Sequence, residues 1–205
     1  MSKRARRNKF GWLSSRIATK KAIIDWLKTD VGRDIPPCEV NIVSDLFGKP
    51  YIMWSLDIKP PEISISHIGD YGFAVVSPHM LQVGCDIEAI TSFPLNTIGY
   101  FTSETEIENC KSTTVYSGCI DTILTLLWST KEAAIKSLSL INRNEQLMPY
   151  DVVISMQTSL GLNNIGNYTF TYKNFNGSGA WAIYKNYILC ACLLNTSITN
   201  RRGIK

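Results

Sequence analysis

The chain has 205 residues, 45% of them hydrophobic and 19% charged, with a formal net charge of +4. That length and apolar content suit a globular protein of one domain or two small, closely packed lobes. No run of about 18 apolar residues occurs, and no apolar signal region follows the basic start, so a membrane span and a secretory leader are not expected and the chain reads as cytoplasmic.

The charge is unevenly placed. Residues 1–9 hold Lys3, Arg4, Arg6, Arg7 and Lys9 without an acid, and residues 201–205 hold three more basic groups, which leaves the body mildly acidic. Residues 1–10 are read as a basic, disordered tail. No interleaving of basic and aromatic residues supports nucleic-acid binding as the main function. The six cysteines, Cys38, Cys85, Cys110, Cys119, Cys190 and Cys192, contain no CxxC pair, so free thiols are expected in place of disulfides or zinc.

From Trp12 to Leu27, the apolar positions Leu13, Ile17, Ile23, Ile24 and Leu27 fall near helical spacing. Arg16 and Lys20, four apart, share a face of that helix, either in solvent or around an anion. Gly32, Pro36 and Pro37 end the pattern. Glu39–Val43 reads as a strand leading to the turn Gly48-Lys49-Pro50, and Tyr51 to Pro61 as a loop. Glu62–His67 is a strand that delivers Ser66 and His67 to the turn Gly69-Asp70-Tyr71-Gly72. There His67 can serve as a hydrogen-bonded turn residue or face a ligand. Tyr71–Ser77 is the hairpin partner.

Val83-Gly84-Cys85-Asp86-Ile87-Glu88 follows. Alternation puts Asp86 and Glu88 on one face, with Val83, Cys85 and Ile87 on the other. The paired acids fit either a wet strand edge or a hard, oxygen-liganded ion such as Mg2+. Ser103-Glu104-Thr105-Glu106 has the spacing of a helix capping box, which could account for Glu106 by itself. Ile120–Lys136 is the longest helical run, with a broad apolar stripe interrupted by Lys131, Glu132 and Lys136. Glu132 and Lys136 also fit a surface i,i+4 ion pair. Tyr150–Gln157, Tyr168–Tyr172, Gly179–Tyr184 and Tyr187–Leu194 read as a four-stranded meander that serves as scaffold.

Taken in order, Gly48-Lys49-Pro50, Ser64-Ile65-Ser66-His67, Val83-Gly84-Cys85-Asp86-Ile87-Glu88, Ser103-x-x-Glu106 and Trp128-Ser129-Thr130-Lys131-Glu132-Ala133-Ala134-Ile135-Lys136 resemble the 4'-phosphopantetheinyl transferases of the surfactin-synthetase type. Arg16-Ile17-Ala18-Thr19-Lys20-Lys21-Ala22 is similar to a helix of members associated with polyketide and polyunsaturated fatty-acid synthases. The resemblance implies an α+β pseudo-dimer, here residues 11–90 and 91–205, with the active site in the cleft between two similar lobes. It further implies transfer of the phosphopantetheine arm of coenzyme A to a serine of an apo acyl or peptidyl carrier protein, releasing adenosine 3',5'-bisphosphate. Mg2+ would assist, with Mn2+ able to substitute, in a monomer with no nucleic-acid or membrane partner.

By motif position, Asp86, Glu88 and Glu132 would ligate the metal, while Lys131 and Lys136 would contact phosphates. Gly48, Lys49 and Pro50 would line the adenine side. Ser66 and His67 would meet phosphate oxygens, with Arg16 and Lys20 at the 3'-phosphate. Glu106, Glu132 or a metal-held water would take the serine proton, and Glu106 is favoured over Glu104 by its spacing from Ser103. The departures from the pattern, Ile68, Cys85 and Ser137-Leu138-Ser139, remove no charged group. A carrier would dock near Cys110 to Leu127. The competing reading is a catalytically silent coenzyme A or nucleotide binding module, which would not need three carboxylates.

Overall fold

Between Lys3 and Trp26 the chain has no proline and a single glycine, Gly11, so nothing ends a helix once it has started. The computed structural model describes residues 3–116, 118–139, 146–157 and 164–195, with side chains from residue 10 onward. Helix α1 spans Lys3–Trp26 and closes through a wide turn, Leu27–Val31, capped by Gly32 at φ 71. Residues 3–10, expected as a disordered tail, are therefore the first turns of α1: Ala, Arg and Lys are good helix formers. The basic C-terminal stretch lies outside the described residues.

Two antiparallel hairpins follow, β1 (Asn41–Ser44) with β2 (Pro50–Met53), and β3 (Glu62–Ile68) with β4 (Tyr71–Ser77). The stretch read as a loop after Pro50 thus begins with a strand. Strand β5 (Val83–Ala89) leads to a one-turn helix α2 (Leu95–Ile98), then α3 (Glu104–Thr113) and α4 (Ile120–Leu138). The chain then lays down the meander β6 (Val153–Met156), β7 (Ile165–Tyr172), β8 (Phe175–Tyr184) and β9 (Tyr187–Leu194). Strand β5 closes this sheet by pairing antiparallel with β9, giving the order β5-β9-β8-β7-β6. Residues 83–89, expected with the N-terminal lobe, therefore belong to the C-terminal sheet, since seven register pairs from Val83↔Leu193 to Ala89↔Tyr187 hold them there. The fold is mixed α+β.

The core has two centres. The larger lies between α4 and the five-stranded sheet, where Leu126, Leu127 and Leu138 meet Phe170, Trp181 and Ile188. Removing apolar surface from water drives this packing. The smaller lies between α1 and the hairpins, with Ile23, Leu27, Val40, Ile52 and Ile63.

The buried line of α1 is not the one its apolar residues suggest. Gly11, Ser15, Thr19, Ile23 and Leu27 face inward, whereas Leu13 and Ile17 are 49% and 61% exposed. Backbone proximity decides this: a Cβ at Gly72 of β4 would collide with the backbone of Ser14 and Ser15. Only small side chains allow so close an approach, and hydrophobic periodicity does not register them.

Candidate active site

The strand that carries the two acids is buried on both faces over Val83–Ile87, which rules out the wet edge. Helix α4 packs across one of those faces. A Cβ added at Gly84 would fall on the carbonyl oxygen of Ala133 and lie 2.8 Å from the Ser137 nitrogen, so glycine is what lets α4 rest on β5 at this point. Two residues on, on the same face of the strand, Asp86 reaches the helix.

Asp86 is 4% exposed. Its Oδ1 accepts hydrogen bonds from Ser66 Oγ at 2.9 Å and from Lys136 Nζ at 2.8 Å, and its Oδ2 accepts one from Ser129 Oγ at 2.9 Å. Lys136 Nζ also donates to the Cys85 carbonyl at 3.0 Å and to Ser66 Oγ at 3.2 Å. A buried carboxylate needs a partner of opposite charge and filled acceptor sites, and β3 and α4 supply that shell. Lys136 therefore pairs with Asp86 and does not form the i,i+4 surface pair with Glu132.

Glu88 and Glu132 stand beside this centre, both half-buried. Burial raises both carboxyls above the ordinary glutamate range. The charge of Asp86 adds to the rise in each, while Lys136 opposes it in both and a hydrogen bond to Trp128 opposes it in Glu88. Three carboxylates thus feel one another across α4 and β5. On the helix, Ser129, Glu132 and Lys136 follow the i, i+3, i+7 pattern of one face.

Lys131 lies elsewhere. One residue is about 100° of helix, enough to turn it away from Glu132 and into the core. It is 0% exposed, with Nζ 2.8 Å from Glu106 Oε1, 3.0 Å from Glu106 Oε2 and 2.6 Å from the Val152 carbonyl. Glu106 completes the expected capping box with Ser103, and Oε1 also accepts the Ile154 N–H at 2.9 Å. Glu104 is exposed. The structure brings Glu106 and Lys131 to each other, not to Asp86: every strong hydrogen-bonding position on them is already used inside the protein.

The turn Gly48-Lys49-Pro50 lines a cleft of about 400 Å³ together with Phe47, Ile63, Ile65, Ile135 and Lys136. Gly48 needs its φ of 84 to make the turn. Lys49 pairs with Glu62 at 3.0 Å and donates to Gln82 at 3.2 Å. Ser66 serves Asp86, and His67 is exposed, packed against Gly11 of α1, where a Cβ would come 2.7 Å from the ring. On α1, Lys20 donates to the Pro37 carbonyl at 2.7 Å. Arg16 stacks 5.4 Å above Trp12, its Nη1 is buried without a partner, and burial lowers its pKa. An unpartnered guanidinium N–H is a donor suited to an anion.

Cys85 points away from α4, its thiol 3.8 Å from the Phe73 carbonyl and pushed up to about 12 by burial, as suits an inert core residue. All six cysteines are free. No helix among the described residues is long and apolar enough to cross a membrane.

Among the described residues, no group of three or more His, Cys, Asp or Glu side chains is already arranged to hold a metal ion. The donor chemistry at Asp86, Glu88 and Glu132 nevertheless suits a hard divalent cation: all oxygen and anionic, with burial and the charge of Asp86 raising the carboxyls of Glu88 and Glu132. Reasoning from the sequence missed Ser129 and Gly84. Ser129 could have been found from its helical phase, three residues before Glu132 and seven before Lys136, whereas Gly84 carries no signal beyond being a glycine inside a strand pattern.

A family model described as the 4'-phosphopantetheinyl transferase superfamily matches residues 82–192, more than half of the chain and the whole stretch from Asp86 through α4 to β9. The holo-[acyl-carrier-protein] synthase of Geobacillus kaustophilus (strain HTA426) is 40% identical over 65 residues, 32% of this chain and 50% of that protein. The chain thus spans about half the length of the curated relative it matches. With the extent of the family match and the acidic centre that falls inside it, the chain belongs to the 4'-phosphopantetheinyl transferase superfamily.

Proposed function

We propose that the protein transfers the 4'-phosphopantetheine arm of coenzyme A to a serine of an apo acyl or peptidyl carrier protein, releasing adenosine 3',5'-bisphosphate. The observation that carries this reading is the Asp86 centre: a buried carboxylate paired with Lys136 at 2.8 Å, electrostatically coupled to Glu88 and Glu132, beside a cleft that Lys136 also lines. A pyrophosphate substrate needs its charge neutralised, and lysine with a divalent cation does so. Asp86, Glu88 and Glu132 are the residues that would hold Mg2+ or Mn2+, and bound there it would supply Lewis-acid stabilisation of the phosphates.

Lys136 is the phosphate-facing cation in this reading, and Gly48, Lys49 and Pro50 line the nucleotide side. Arg16 offers its unpartnered Nη1 to a phosphate, with Lys20 and His67 nearby in sequence or packing. Glu106 and Lys131 become scaffold, since their charges are spent on each other. Proton removal from the serine then rests with Glu132, whose raised carboxyl pKa brings it nearer neutrality, or with water at the metal.

The surfactin-synthetase subtype and its pseudo-dimeric plan are supported by a repeated motif: α1 lies on the β3–β4 hairpin as α4 lies on β5 and β9. A carrier surface in the segment from Cys110 to Leu127 is supported by two exposed apolar residues, Val115 between α3 and α4 and Ile120 at the start of α4, whereas Cys110, Ile123, Leu124, Leu126 and Leu127 are buried. Cytoplasmic location and a monomer complete the reading.

The test is to incubate the protein with coenzyme A, Mg2+ and a panel of apo carrier proteins and to weigh the carriers. A gain equal to the phosphopantetheine arm is expected. No gain on any carrier, with Mg2+ or Mn2+, overturns the reading and leaves a coenzyme A binding module.

A further inference from the structure

The Lys136 ammonium has a complete set of acceptors. Its three N–H donors meet three oxygens, Asp86 Oδ1 at 2.8 Å, the Cys85 carbonyl at 3.0 Å and Ser66 Oγ at 3.2 Å. A carboxylate, a backbone carbonyl and a hydroxyl are also the ligand types that hard divalent cations select. Lysine and cation therefore want the same place. Two positive charges cannot share Asp86 Oδ1 at contact distance, and Oδ2 is committed to the fully buried Ser129.

Lys136 is also able to leave. Its side chain is 31% exposed, and it lines the cleft that the Gly48-Lys49-Pro50 turn borders. The four-carbon stem can carry the charge into that cleft without uncovering the core. Lys131, five residues earlier on the same helix, has no such exit at 0% exposure.

We propose that the Lys136 ammonium and a divalent cation are alternative occupants of Asp86 Oδ1, so that loading the cation turns Lys136 out into the cleft. The proposal rests on the transferase reading only for its purpose, a lysine delivered to a phosphate. It stands or falls on metal binding alone.

The experiment measures Mn2+ binding to the full chain by electron paramagnetic resonance, with neither coenzyme A nor carrier present. Wild type is compared with Lys136→Met and Lys136→Gln, each first checked for a native melting transition. If the lysine competes, either variant binds Mn2+ about tenfold or more tightly than wild type. Equal or weaker binding in the variants, or no binding in any of the three proteins, overturns the proposal. Should both variants fail to fold, the wild type decides: after reductive methylation with 13C formaldehyde, the Lys136 dimethylamine resonance, assigned through Lys136→Arg, shifts on adding Mg2+. A resonance that stays in place counts against the exchange. Carrier modification enters neither measurement, so failure here and failure of the transferase reading remain distinguishable.

Discussion

Lys131 and Glu106 form an ion pair inside the protein, 2.8 Å apart, with the lysine 0% and the glutamate 8% exposed at the side chain. The pair joins three elements: α4 through Lys131, α3 through Glu106, and the start of β6 through the Val152 carbonyl and the Ile154 N–H. It holds α4 in the rotation that aims Ser129, Glu132 and Lys136 at β5. Breaking one partner of such a pair strands a buried charge, at a cost of about 3–5 kcal/mol. Lys131→Met and Glu106→Leu should each lower the unfolding free energy in urea by that order, whereas the double variant should recover the part due to the stranded charge, with the unmet Ile154 N–H and Val152 carbonyl leaving the rest. Double-variant stability no better than the worse single variant would contradict the buried-pair assignment.

Gly84 sets the distance between β5 and α4, so Gly84→Ala should cost about 1–3 kcal/mol as overpacking forces the helix away from the Ala133 and Ser137 contacts. Gly99 supplies the control. Its φ is −64 and a Cβ there meets nothing within 4 Å, so Gly99→Ala should be neutral or add a few tenths of a kcal/mol by stiffening the unfolded chain. Equilibrium denaturation of the two variants side by side checks the pair, and equal effects would remove Gly84 from the account of how the site is assembled.

Glu88 and Glu132 carry pKa values raised mainly by burial. The folded protein therefore holds their protons more firmly than the unfolded chain does. Their contribution to stability is complete below the unfolded value of about 4.3 and is lost as pH rises through the raised folded values. Above that window both groups are a net cost to folding. Two outcomes are expected in thermal melts: Glu132→Gln melts higher than wild type at pH 7, and the difference shrinks toward pH 4. A variant that melts lower at pH 7 would show that Glu132 is stabilised as an anion.

Much of this arrangement was legible in the sequence because it depends on local rules. The alternation in β5 put Asp86 and Glu88 on one face, the Ser103–Glu106 spacing gave the cap, and the meander strands were read from their turn residues. What sequence could not supply was the partner across space. Adjacent letters such as Lys131 and Glu132 look like one motif, yet a helix turns them to different neighbours, and only the packing of α3 and β6 shows that Lys131 belongs to Glu106. The stripe of α1 failed for a related reason: Gly11, Ser15 and Thr19 are buried for closeness to β4, not for hydrophobicity.

Asp86 and Ser129 allow charge and orientation to be separated. Asp86→Asn keeps the shape and leaves Lys136 without its counter-charge, but that lysine can turn into the cleft, so the protein should remain folded while transfer to a carrier is lost. Ser129→Ala keeps the charge and removes the hydroxyl that donates to Oδ2, leaving a buried acceptor unsatisfied at about 1–3 kcal/mol. Loss of an orienting partner behind a metal-binding carboxylate typically costs 10–100-fold in metal affinity or activity, so Ser129→Ala should retain measurable transfer with a weakened Mg2+ dependence. Ser129→Thr, which restores a hydroxyl, should recover part of that affinity. The readout is the Mg2+ concentration for half-maximal transfer in each variant, with melting curves run in parallel. An unchanged Mg2+ requirement in Ser129→Ala would mean that the bond to Oδ2 does not orient Asp86 for the cation, and would confine Ser129 to stability.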